Sequence, residues 1–233
     1  MHQRTKTVSG IRHWYTTTNG LLWIVALMAG CWFSCSSVPQ NRYFAVAYTV
    51  LPSEDKGAPL PIAVRLRQLE ISPAYDQERL VYRYSPYEFM YYDYMLWAVK
   101  PQKMLTDLIS RHLEQEKLFE TIARELGDRR PDYELSGTVD AIEELDAGAE
   151  WSAHLAYTLH LTRFGDQRVV WSRSADLKKR VYNKAPVYVV KALSELVEEE
   201  LNTTTKQLRM FFKQRAMPEA SRQGTSTDGA GSP

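Results

Sequence analysis

Three histidines beyond the first thirty residues, a run of carboxylates and two cysteines are the side chains that could do chemistry in this chain of 233 residues. His154 and His160 share one face of an alternating segment. Six residues of strand hold them about 20 Å apart, too far to share a metal. Together with His112 they read as exposed or hydrogen-bonded structural histidines. Asp140, Glu143, Glu144, Asp146 and Glu150 cluster in a short stretch, which could hold a hard cation or supply an acid and a base. The run lacks the Asp-x-Asp-x-Asp-Gly order of a calcium loop. Gly148 and Ala149 mark a strand-to-strand connection, so the expectation is a solvated, charged loop. Ser53 and Lys56 have the spacing of a serine acyl-enzyme, but they lie between Pro52 and Gly57 in a loop and not at a helix start, which makes the match a coincidence. No nucleophile elbow, zinc-protease helix, phosphate loop or dinucleotide fingerprint occurs. The expectation is a protein that is not an enzyme and uses no cofactor or metal.

What the sequence concentrates is aromatic surface. Tyr82, Tyr84, Tyr87, Phe89, Tyr91, Tyr92, Tyr94 and Trp97 follow one another closely. On a strand, neighbours such as Tyr91 and Tyr92 point to opposite faces, so one buried face cannot take them all. Tyrosine combines an apolar body with a polar tip and suits interfaces. Tyr87, Phe89, Tyr91, Tyr92, Tyr94 and Trp97 are therefore the candidate partner surface. Lys+Arg 29 against Asp+Glu 28 leaves a net charge of +1, which offers no basic field for nucleic acid.

The elements that must position these residues follow from periodicity. Arg42–Val50, Ile62–Arg67, Leu80–Tyr84, Tyr87–Tyr92, Phe119–Arg124, Tyr133–Ala141, Trp151–Thr162 and Arg168–Ser174 alternate or run apolar as strands do. Ser85-Pro86 and Gly165-Asp166 mark hairpin turns. Met104, Leu105, Leu108, Ile109 and Leu113 make one face of a helix over Pro101–Lys117. Val190, Leu193, Val197, Leu201, Thr204, Leu208 and Phe211 make a second stripe over Pro186–Lys213, with Glu195, Glu198 and Glu199 on its solvated side. The fold class is α+β, a single mainly antiparallel sheet packed by two amphipathic helices behind a lipidated N-terminal tether.

The N-terminus reads as an address. Arg4, Lys6 and Arg12 precede the apolar run Leu21–Ala29, which is too short to span a bilayer. Met28-Ala29-Gly30-Cys31 resembles the lipobox of bacterial lipoproteins, which implies cleavage before Cys31 and acylation of that cysteine. Cys35 is a spare thiol or a second acylation site, and no cysteine follows it. Residues 1–30 are thus a signal peptide, 31–41 a lipidated tether, 42–213 the folded domain and 214–233 a disordered tail. Eleven residues from Cys31 to Arg42 reach at most about 35 Å, so the body stays near its membrane.

Several segments carry a wider resemblance. Asn41-Arg42-Tyr43-Phe44, Ile62-Ala63-Val64, Arg79–Ser85 followed by Tyr91-Tyr92-Asp93-Tyr94 and Trp97-Ala98, Met104-Leu105, Leu118-Phe119 and Tyr133–Gly137 occur in this order behind the lipobox. In that order they resemble the ABC-type transport auxiliary lipoproteins, the PqiC-like family. The resemblance implies a periplasmic lipoprotein on the outer membrane that serves an MCE-type lipid transporter. Its implied partner is an MCE-domain protein, and homo-oligomers are a further expectation. Trp32 after Cys31 favours outer-membrane sorting over inner-membrane retention. The alternatives from the residues alone are an envelope assembly or scaffold lipoprotein, or a lipid-binding module using the aromatic segment.

Overall fold

The computed structural model describes residues 39–49, 57–127, 129–146, 148 and 150–216. The expectations for the signal peptide, the lipidated cysteine and the segment beyond residue 216 lie outside them, as does the Ser53–Lys56 pair. Nine strands form one sheet: β1 Arg42–Phe44, β2 Leu60–Leu66, β3 Glu70–Ile71, β4 Arg79–Ser85, β5 Glu88–Trp97, β6 Phe119–Ala123, β7 Tyr133–Asp146, β8 Trp151–Arg163 and β9 Val169–Arg180. Helix α1 spans Pro101–Gln115 and helix α2 spans Pro186–Ala216. The α+β class expected from the pattern is the class observed. The first strand is shorter than its alternation implied, ending at Phe44, and α2 runs to Ala216 past the expected Lys213.

β7 organises the sheet. Along one edge it pairs antiparallel with β8 over almost its full length, and β8 pairs antiparallel with β9. Along its other edge lie three strands in succession, β2, β3 and β4, all parallel to it. β6 adds to β2 and β1 adds to β5 in parallel as well. Antiparallel pairing predominates by length, yet the sheet is mixed. The parallel junctions escape periodicity because alternation reports a strand's faces and not its neighbours.

β8 shows why the alternation was legible. Trp151, Ala153, Leu155, Tyr157, Leu159 and Leu161 are all buried, and most of the residues between them are half-exposed. Their buried face packs under both helices: Leu105 and Ile109 of α1 and Val197 and Leu201 of α2 meet Val139 and Leu155 around one small cavity. Gly137 sits where β7 and β8 approach most closely. A Cβ there would lie 2.3 Å from the carbonyl oxygen of Thr158, so no larger residue fits.

α1 begins with Pro101 at its first turn, where the missing N–H costs nothing. It stops without a glycine. The Lys117 N–H donates to the Glu114 carbonyl at 3.0 Å and the Leu118 N–H to the Leu113 carbonyl at 3.2 Å, while Lys117 takes φ 46°. This is a Schellman closure, and its usual apolar contact is supplied by Leu113 and Leu118, both fully buried. Leu118 then leads directly into β6.

Candidate functional site

The aromatic segment forms a hairpin, β4 and β5, turning at Pro86-Tyr87. Tyr87 is 94 % exposed, and Tyr84, Phe89, Tyr91 and Tyr94 are also exposed. Trp97 is not part of this surface. It is buried in the core, where β5 pairs with Phe44 of β1, so its assignment to a partner surface is corrected. Tyr92 is half-buried, and its hydroxyl donates to both carboxylate oxygens of Glu144 at 3.0 and 3.1 Å. Sequence could not say which of Tyr91 and Tyr92 faces out; Tyr91 does. Among the described residues, β1 covers only Met95–Trp97 of the outer edge of β5. Glu88–Tyr94 therefore present an open strand edge beside exposed aromatic rings.

Behind the hairpin lie the carboxylates expected to form a solvated loop. That expectation is corrected: Asp140, Glu143, Glu144 and Asp146 belong to β7, and Glu143 and Glu144 are buried. The physical cause is a bulge. Val139 faces Tyr157 but Ala141 faces Ala156, so one extra residue shifts the phase of the strand at Asp140. Before the bulge the odd residues face the helices; after it, Ile142 and Glu144 do. Glu143 is turned to the opposite face.

On that outer face a short 3₁₀ turn, Pro73–Tyr75, brings Tyr75 over the sheet. The Tyr75 hydroxyl donates to Glu143 Oε2 at 2.7 Å. Arg83 grips the same carboxylate with two nitrogens, Nε at 2.7 Å and a terminal nitrogen closer still. His154 Nδ1 lies 2.7 Å from Glu143 Oε1, and its Nε2 lies 2.9 Å from the exposed Asp176. Both ring nitrogens thus face carboxylates. Burial pushes the Glu143 carboxyl up, but hydrogen bonds from His154, Arg83 and Tyr75 outweigh it and hold the group below its ordinary range. The Arg83 guanidinium also lies 5.0 Å above the Phe89 ring, which joins this network to the aromatic surface.

On the inner face Glu144 has no such cation. Tyr92 and the indole N–H of Trp151 donate to it, and burial dominates, raising its carboxyl to about 6. A third buried carboxylate ties α2 to the sheet. Glu200 accepts from the Tyr157 hydroxyl at 2.8 Å and from Arg173 at 2.8 and 2.9 Å. Its partners lie on β8 and β9, so no local pattern in α2 announces it.

The histidines are structural. His112 is buried on α1, with Nδ1 3.1 Å from the Tyr48 hydroxyl, and His160 is half-buried on the outer face of β8. Among the described residues no group of three or more His, Cys, Asp or Glu could hold a metal ion. The cavity between sheet and helices is about 30 Å³, room for about two waters, and a second pocket beside Tyr48, Leu108 and Arg111 is about 140 Å³; both fall below the roughly 300 Å³ that a small ligand needs. No helix among the described residues is long and apolar enough to cross a membrane.

The open strand edge with its exposed rings is thus backed by buried ion pairs. The chain belongs to the ABC-type transport auxiliary lipoprotein component family, whose model matches residues 47–203. No curated protein matches it. The crystal structure of protein XCC0632 from Xanthomonas campestris is 21 % identical, with a TM-score of 0.66 over 75 % of this chain and 99 % of that one. A second solved structure, of an uncharacterized protein, is 15 % identical, with a TM-score of 0.58 over 72 % of this chain and 99 % of that one. Both share the fold.

Proposed function

We propose that this chain is a non-enzymatic periplasmic lipoprotein that docks an MCE-type lipid transporter at the outer membrane. Acylation of Cys31 anchors it, and Phe89, Tyr91 and Tyr94 with the open edge of β5 receive the MCE-domain partner. The observation that carries this reading is that open edge. A partner strand adds main-chain hydrogen bonds there, while the adjacent rings supply the anchoring contacts. Pockets of about 30 and 140 Å³, each smaller than a lipid, support a docking role over a lipid carried inside the body.

Binding of the MCE-domain protein, measured by titration calorimetry, tests the surface. Tyr91→Ala with Tyr94→Ala is expected to keep the melting temperature and weaken binding at least about tenfold, the loss of one interface hot spot or more. Tyr92→Ala is the opposite case. It removes a hydrogen bond from buried Glu144 and is expected to destabilise the fold by about 1–3 kcal/mol. A double variant that binds as the wild type does would remove this surface from the reading. For the anchor, Cys31→Ser is expected to leave unprocessed precursor, read as the missing mass of a lipidated mature chain.

A further inference from the structure

Exposed tyrosines are not confined to the hairpin. Arg83, Leu145, Ser152 and Arg180 lie side by side in one row across β4, β7, β8 and β9. Beyond that row, at one end of the sheet, the chain turns in three places. The β4–β5 turn carries Tyr84 and Tyr87, and the connection from β9 to α2 carries Tyr182, 88 % exposed. The first turn of α2 adds Tyr188. Four exposed tyrosines from three segments thus rim one end. Exposed Arg180 and Lys184 at this end are set against exposed Glu88 and Glu150 and half-exposed Asp146, so the rim has little net charge.

The direction of β1 says what this rim faces. β1 runs parallel to β5 with Arg42 beside Met95, so the chain traced back from Arg42 heads toward the hairpin turn. That turn lies about 20 Å from Arg42 along the strand, whereas the eleven residues to Cys31 span up to about 35 Å. A body tethered at Cys31 has enough slack to set this end on the bilayer and too little to drift away from it. Tyrosine is the residue that settles at headgroup level, ring toward the acyl chains and hydroxyl toward water.

We propose that the rim of Tyr84, Tyr87, Tyr182 and Tyr188 is a second, non-covalent membrane contact, occupied by phospholipid headgroups. It rests on the acylated Cys31 reading. The contact fixes the orientation of the body, leaving the β5 edge upright on the bilayer. Because the rim is nearly neutral, salt does not weaken it.

The test uses the mature lipidated chain in vesicles of phosphatidylethanolamine and phosphatidylglycerol containing a headgroup-linked quencher. A fluorophore is placed on Tyr87→Cys in a Cys35→Ser background, and in parallel on Val169→Cys at the far end of β9. Quenching is expected to be several-fold greater at position 87, equally at low and high salt, and to fall when Tyr182→Ser and Tyr188→Ser are added. Equal quenching at the two positions, or quenching at 87 indifferent to the serine changes, overturns the contact. The intact mass of the same sample reads acylation separately. An acylated chain without the quenching difference removes the contact alone, and a chain without the acyl mass removes the anchor and the contact together.

Discussion

On one side of β7, Glu143 is held by a guanidinium, an imidazole and a phenol; on the other, its neighbour Glu144 is held by a phenol and an indole alone. The residue type, the strand and the depth of burial are nearly the same, and the outcome is opposite. Glu143 stays ionised because the partners that bury it also donate to it. Glu144 loses water with no cation bonded to it, and the more distant Lys184 does not offset the burial, so protonation relieves it. Burial alone does not decide what a carboxylate does. The identity of the groups that replace water does, and here a one-residue bulge deals the two neighbours to different partners.

The contrast can be broken most forcefully at Glu143. Glu143→Ala removes the buried carboxylate that Arg83, His154 and Tyr75 share, and leaves the half-buried Arg83 guanidinium without its partner. It is expected to cost about 3–5 kcal/mol in urea unfolding at pH 7, the range for breaking a buried ion pair from one side. A loss near zero would mean that the outer network is not a supporting one.

Glu144 sharpens the contrast through pH. Its folded pKa of about 6 stands above the ordinary 4.5. Its contribution to stability is therefore fully present below 4.5 and lost as pH rises through 6, a difference of about 2 kcal/mol. Glu143, held low, works in the other direction: its contribution is present above 4.5 and lost as the solution becomes more acidic. Glu144→Gln is expected to flatten the slope between pH 4.5 and 6 and leave the acid limb in place. If the slope in that window survives the substitution, another group sets it.

The smallest effect belongs to Asp176. Its side chain is 73 % exposed although it touches His154. Asp176→Asn is expected to change stability by less than about 1 kcal/mol, as exposed pairs do.

Much of this was legible in the sequence and some was not, for definite reasons. The β8 alternation, the apolar stripes of both helices and the turn of the tyrosine hairpin depend on residues near one another in the chain, and periodicity reads those. The acidic run was misread as a loop because its meaning lies elsewhere. Arg83 and Tyr75 precede Glu143 by sixty residues or more, and no local pattern predicts that they arrive together. One signal was available. The apolar positions of β7 change parity between Val139 and Ile142, as a bulge requires, and extending the strand through that change would have buried both glutamates. Trp97 shows the same limit. Composition grouped it with the exposed tyrosines, but its pairing with Phe44 of β1 took it into the core.

The long edge of β7 also dictates an order of events as the chain is made. β2, β3 and β4 are all synthesised before residues 133–146, yet each needs those residues as its parallel neighbour. Before β7 the β4–β5 hairpin closes locally, and β1 can add to β5 and β6 to β2. The inner edges of β2, β3 and β4 therefore wait unsatisfied until β7 emerges, and contacts this distant in sequence are slow to form. In that interval the chain offers bare edges to any other chain nearby. The arrival of one strand then completes three pairings together, so the fold commits late and all at once.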